Sequence, residues 1–387
     1  MAYRMMPDTA GYDRAMRVGG IGIWYSVAAT RGGVPIAGAA DLRPTGGTIT
    51  DTIKPGVSKV LNLELAAEPG MYDLLAPAGT TLTATAHVKL LDQSVIDIPM
   101  GVFDVSEQSM SVQGHTISLT APDKWVRIQR AKFITPEYAT PGVSVPTQLG
   151  ALIRGALGVS EPINVVDATT ASMCPMMFEG NRDEVINLIA GWTGQWVRFD
   201  RNGTALITGM PYIGPSADWL IDASPSGVLV SLDRQRSRRS TFNVVGVVSS
   251  AAETAFFTPQ YAWDTDPASV TYAGTDPIGH PELAGPFGVS AYVFNTPLEM
   301  SAGQALETAN SILGQTTGMA SQVSLSSTIN PAIDAGDVID VLSPRERADI
   351  PIAVERHLVE TVTHPLVIEA SSVQHIEGRS TRVDAFT

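Results

Sequence analysis

One cysteine, Cys174, is the whole thiol inventory of the chain, which excludes an internal disulfide framework and any cysteine-rich zinc or iron–sulfur site. Positive charge is also short. Among 387 residues, 25 are Lys or Arg and 39 are Asp or Glu, giving a net charge of −14 and a pI near 4.8. A protein built to grip phosphates runs the other way, so sequence-wide nucleic-acid binding is not expected. Lysine is confined to Lys54, Lys59, Lys89, Lys124 and Lys132, and arginine carries every later positive charge. No apolar run reaches the ~18 residues of a membrane helix, so no membrane-spanning segment is expected. Val18 to Thr30, preceded by Arg14 and Arg17, mimics a secretion signal. Trp24 and Tyr25 within it, and Asp8 and Asp13 before it, favour a strand.

What is present is apolar and turn-rich. A chain 44% hydrophobic and 17% charged can bury substantial cores, which rules out global disorder, and its length suits two or three domains. The 35 glycines and 26 prolines, beside many Ser, Thr and Val, point to short strands and tight turns. Residues 20–125 read as strands throughout. Leu82 to His87 alternates, Val112 to Leu119 alternates around Gly114, and Gly101 in Pro99 to Val105 permits a bulge or a close backbone approach. Such spacing predicts an antiparallel sandwich or barrel.

The pattern changes near Pro141-Gly142. Leu149, Leu152, Ile153, Ala156 and Leu157 predict an amphipathic helix from Thr147 to Gly158. Asn181 predicts the N-cap of a second helix, with Asp183 and Glu184 in its first turn. Asn202-Gly203 between apolar runs predicts a hairpin. Ser301 with Gln304 predicts a capping box on a third helix. Strands are expected at Phe242 to Val248, Gln322 to Thr328, Val338 to Leu342, Ile352 to Val362 and Leu366 to Val373. Residues 259–295 read as a long aromatic loop, a length usually reserved for function or for covering a partner. The fold class is mainly β with an α+β insertion, divided as 1–140, 141–230 and 231–387.

Catalytic motifs are missing. The chain has no Gly-x-Ser-x-Gly elbow, no His-Glu-x-x-His and no phosphate-binding loop. None of His87, His115, His280, His357, His364 and His375 has a second histidine or cysteine at metal-ligand spacing, so no metal or cofactor is expected. Asp264, Asp266 and Asp276 do not match a calcium loop and read as solvated charges. Met173 to Phe178 reads as core or a subunit contact. The sharpest local charge feature is Arg234, Arg236, Arg238 and Arg239. It suits either a solvated edge that discourages pairing or a docking face for an acidic neighbour. Tyr261, Trp263, Tyr272 and Tyr292 offer a second candidate surface, a stacking platform for carbohydrate.

Three passages resemble the hub proteins of long-tailed phages and related contractile systems, in particular the tail-tip minor tail proteins of actinobacterial siphophages. They are Pro99 to Val105 followed by Val112 to Leu119 and Asp123-Lys124-Trp125; Arg239 to Val247; and Asn330 to Val341 with its Gly336-Asp337. The resemblance implies two tube-like β-barrels, at 1–140 and 231–387, flanking the α+β domain. It implies a homotrimer or pseudo-hexameric ring that continues the tail tube in the virion tail tip, after synthesis in the host cytoplasm. Its implied partners are further copies of itself, distal tail and tail tube proteins, a tape measure protein and tail-tip or receptor-binding proteins. DNA would pass through without specific binding. Some members of that family carry a lytic extension; here none is expected after the last strand, and the chain is expected not to be an enzyme. The competing class is a virion-borne or secreted carbohydrate-binding module.

Overall fold

Alternation decides the first sheet. In β5 (Thr80–Lys89) every second residue is buried, β1 (Gly22–Arg31) alternates from Tyr25 to Ala29, and in β6 (Val95–Asp104) the alternation shifts phase at Met100-Gly101 before Phe103. With the two-residue β2 (Val34–Pro35) they form a four-stranded antiparallel sheet in the order β2-β1-β5-β6. The computed structural model describes residues 12, 16, 22–111, 113–169, 171–173, 175–214, 216–223, 227–236, 241–249, 257–296, 301–317, 321–342 and 354–380.

A second sheet has ten strands and joins both ends of the chain. Its first part is β3 (Gly46–Thr52), β4 (Lys59–Ala66), β7 (Glu107–Ser111) and β8 (Thr116–Pro122). Its second part is β14 (Trp219–Asp222), β15 (Leu229–Arg236), β19 (Ser321–Ser327), β20 (Val338–Leu342), β21 (Val354–Pro365) and β22 (Gln374–Ser380). The seam is β21, twelve residues long, whose first half pairs β20 and whose second half pairs β3, Thr361 opposite Thr52 and Pro365 opposite Thr48. One hydrophobic cluster runs from Val27, Leu61 and Leu82 to Val323, Ile339, Val362 and Ile376.

The mainly β architecture is as expected, but the expected barrels do not close. Among the described residues the ladder runs openly from β15 to β7, and β15 lacks a ladder partner on its outer side. Within the sheet a side-chain pair ties β15 to β21: Arg234 grips Glu355 at 2.8 and 3.0 Å.

Between the two β-rich ends, the short β9 (Glu137–Tyr138) and β11 (Met177–Phe178) pair, and β10 (Ile163–Val166), β12 (Gln195–Phe199) and β13 (Ala205–Gly209) form a small sheet packed on α3 (Val145–Leu157) and α4 (Arg182–Trp192). The hairpin after Phe199 turns at Asn202-Gly203 with Gly203 at φ 73°, as its dipeptide predicts. Pro146 starts α3 two residues earlier than the periodicity indicates, because a proline without an N–H is at home in a first turn. A further sheet, β17 (Gln260–Trp263), β16 (Val244–Ser249) and β18 (Ala291–Thr296), packs on α5 (Ala302–Thr316), which begins at the expected Ser301–Gln304 capping box. The long loop thus contributes two strands, and between them a 3-10 turn at Pro281–Leu283.

Other expectations give way. Residues 20–125 are not all strand: α1 (Met71–Leu74) is helical within them, and α2 (Trp125–Arg130) begins where they end. Leu366 to Val373 is a turn, closed by Glu369 and Ser372 bonding each other's backbone, and the strand lies at β22. Ser372, six residues past the Pro365-Leu366 pair, takes the backbone bonds that a ladder would need.

Candidate functional site: an acidic sheet face above a charged junction

Register fixes which side chains share the outward face of the long sheet. Thr363 of β21 stands between Thr50 and His375, His375 faces Ser326, and Glu377 faces Ser324, which in turn faces Asp233. On the other arm Thr48 faces Asn62, Asn62 faces Thr120 and Thr120 faces Glu107, with Glu64 one pair along. The face is therefore mostly hydroxyl and amide. Four carboxylates, Glu64, Glu107, Asp233 and Glu377, stand exposed on it. Its two arginines are each held by a carboxylate: Arg356 by Asp340 at 2.8 and 2.9 Å, and Arg379, itself buried, by Glu360 at 3.6 Å.

Beneath this face, five buried or half-buried charges alternate in sign along one chain of contacts. Arg198 of β12 places Nη2 3.0 and 2.9 Å from the two oxygens of Asp51 in β3. Lys59 of β4 lies 3.5 Å from Asp51 and donates to Asp334 at 2.9 Å. Arg201, in the turn after β12, donates to Asp334 at 2.6 Å and to the carbonyl of Pro331 at 2.8 Å. The Ala335 N–H donates to Asp51, and its carbonyl accepts from Arg198. The cluster joins the first β region, the α+β region and the loop before β20.

The electrostatics are polarised within it. Burial raises the Asp51 carboxyl above its ordinary value, although Arg198 and Lys59 oppose this. Burial also works against the Asp334 anion, but Arg201, Lys59 and Arg198 together outweigh it and hold Asp334 well below the carboxylate range. His364, fully buried, donates from Nε2 to the Ile333 carbonyl at 3.2 Å. Burial and then Arg201 push its pKa down to about 3.

Two of the passages singled out in the sequence supply this junction. The turn Asp334 to Asp337 brings Asp334 to its cations, while Asp337 accepts from Trp219 Nε1 at 3.0 Å. Gly336, at φ 94°, lets the Trp196 ring approach to where a Cβ would lie 3.1 Å away. Asp123 ties the ends of β4 to α2, accepting from Ser58, from the Lys59 N–H and from the Trp125 N–H.

The sequence candidates are dispersed. Arg234 makes the Glu355 pair; Arg236 ends β15, its side chain outside the described set; Arg238 and Arg239 lie outside the described residues. Tyr261 pairs with Gly246, which faces Val293, whereas Tyr292 pairs with Val245 beside Ala262, on the side packed against α5. Trp263 stands at the end of β17 and Tyr272 packs over Gly285 in the loop. These four aromatics do not form a single platform. Met173 is core, Met177 is half-exposed, and Cys174 is outside the described residues. Among the described residues no three His, Cys, Asp or Glu side chains gather as a metal site, and no helix is long and apolar enough to cross a membrane.

No family model matches the chain, and no curated protein matches its sequence. The fold is nonetheless that of phage tail proteins. The tail protein from Neisseria meningitidis MC58 superposes with a TM-score of 0.61 at 10% identity, over 92% of this chain and 97% of that one. The tail protein of prophage MuSo2 from Shewanella oneidensis gives 0.56 at 12% identity, over 92% and 98%. A chain of the Francisella PdpA–VgrG complex gives 0.53 at 10% identity, over 95% of this chain and 54% of that chain.

Proposed function

We propose that this protein is a structural hub of a phage-type tail, a ring-forming component that continues the tube and meets tail-tip proteins beyond it. The observation that carries the reading is the extent of the likeness, which takes in nearly all of this chain and nearly all of the two tail proteins. Architecture alone does not give function, so the surface has to agree. It does: an exposed face of hydroxyls and carboxylates is what a wall must offer if DNA is to slide past. Cations there would bind phosphates by counterion release, while carboxylates repel them. Exposed charges act only over roughly 8 Å at physiological salt, so the acid must stand at the wall itself.

In this reading copies of the chain close into a homotrimer or pseudo-hexameric ring in the virion tail tip, and the protein has no catalytic task in assembly. Distal tail, tail tube, tape measure and receptor-binding proteins are its neighbours. Arg236, Arg238 and Arg239 serve contacts between subunits or with another tail protein, and charge reversal at Arg236 and Arg238 weakens assembly, most visibly at low salt, where the repulsion is least screened. The residue divisions 1–140, 141–230 and 231–387 serve as its working parts.

Native mass spectrometry of the purified chain separates the readings. A trimer or larger ring supports the hub. A persistent monomer that captures host cell-wall glycans would support the carbohydrate-binding alternative.

A further inference from the structure

The outer face of the four-stranded sheet carries a cluster unrelated to the junction. Register sets Trp24 opposite His87 and His87 opposite Asp97, and Ser26 lies two residues along β1 on the same face. Ser26 Oγ is 2.7 Å from His87 Nε2, and His87 Nδ1 is 2.6 Å from Asp97 Oδ1. The two contacts select a tautomer. A carboxylate accepts, so Nδ1 carries the proton and Nε2 offers its lone pair to the Ser26 hydroxyl. Trp24 stacks on the imidazole, 5.3 Å between centroids at 19°, and fixes its plane. Nucleophile, base and orienter in consecutive hydrogen-bond contact are recognised by geometry, whatever their order in the chain. A passive cross-strand polar network would show the same distances. The two differ in whether Ser26 reacts.

We propose that Ser26, His87 and Asp97 form an acyl-accepting serine site for small carboxylic esters. Ser26 Oγ adds to the ester carbon as its proton passes to His87 Nε2. The adduct collapses, the carbon–oxygen bond to the alcohol breaks, and the alcohol departs with the proton from His87. Water, deprotonated by the same nitrogen, then attacks the acyl-serine and releases the acid and free Ser26. Asp97 touches no substrate; it positions the imidazole. The site is a half-exposed strand face, so substrate is held weakly and KM is high. The N–H of Val27, next after the nucleophile, is spent on the Leu42 carbonyl at 3.0 Å. An oxyanion donor is worth roughly 10²–10³ in rate, so acylation and deacylation are both slow here, and an acyl-serine accumulates only from esters with a good leaving group.

The test uses the purified full-length protein and an alkyl fluorophosphonate, which phosphonylates an activated serine with loss of fluoride. Peptide mapping should place the label on Ser26. Labelling should vanish in Ser26→Ala and slow by about 10²-fold or more in His87→Gln, the usual worth of a general base. Asp97→Asn should slow it too; with that side chain 65% exposed, the fold is kept, as circular dichroism would confirm. p-Nitrophenyl acetate should give a stoichiometric burst that Ser26→Ala abolishes. An unlabelled Ser26 in the folded protein, or equal labelling rates in wild type and His87→Gln, overturns the proposal.

Discussion

Replacing Arg198 by Met removes the cation that holds Asp51 and leaves the rest of the junction in place. The two side chains are 6% and 2% exposed, so neither charge can turn to water. Breaking a buried pair from one side costs about 3–5 kcal/mol, because the surviving charge is stranded. Here Lys59 at 3.5 Å and the Ala335 N–H still reach Asp51, which argues for the lower end, about 3 kcal/mol. The lost bond to the Ala335 carbonyl adds about 1 kcal/mol. Urea unfolding followed by tryptophan fluorescence is the assay; the Arg198 guanidinium lies 4.5 Å over the Trp196 ring, so the reporter sits at the perturbation. Adding Asp51→Asn to Arg198→Met removes the stranded charge and should recover a large part of the loss. A single-variant loss under about 1 kcal/mol, or a double variant that merely sums the two singles, would refute the view that this junction fastens the regions together.

Three further outcomes are expected. His364 has a folded pKa of about 3 against 6.5, so the unfolded chain takes up its proton first; its contribution is complete above pH 6.5 and is lost as pH falls toward 3. That loss runs at up to about 1.4 kcal/mol per pH unit, and His364→Leu should flatten the wild-type dependence of urea midpoints between pH 6 and 4. Gly101→Ala should destabilise by about 1–3 kcal/mol in thermal or urea melts, since its Cβ would fall 2.5 Å from the Phe103 ring at φ 151°. Glu64→Lys with Glu377→Lys should confer salt-sensitive duplex DNA binding in a filter or gel assay, while the native protein stays unbound at the same salt.

The sequence announces those parts whose cause is local. The Ser301–Gln304 box, the Asn202-Gly203 turn and the β5 alternation each act within a few residues, and each appears in the fold. The open sheet shared by both ends of the chain rests on β21 choosing β3 as a neighbour, a pairing between residues some 310 apart that no period encodes. The junction is hidden for the same reason: Asp51 and Arg198 are 147 positions apart, and an isolated Asp in a strand reads as an outward residue. What did show was the company it keeps, since Pro99, Met100, Pro331 and Asp334, all contacts of Arg201, fall in passages that stood out by resemblance. Ser26, His87 and Asp97 form no motif because cross-strand register, not spacing along the chain, brings them together.

An electron cryo-microscopy reconstruction of the assembled protein, alone or in its particle, tests the hub assignment most directly. The expected result is a closed ring in which Glu64, Glu107, Asp233 and Glu377 face the axis and acidic groups outnumber basic ones along the wall. A ring whose lumen is neutral or basic, or a chain that stays monomeric at the concentration found in particles, would contradict it.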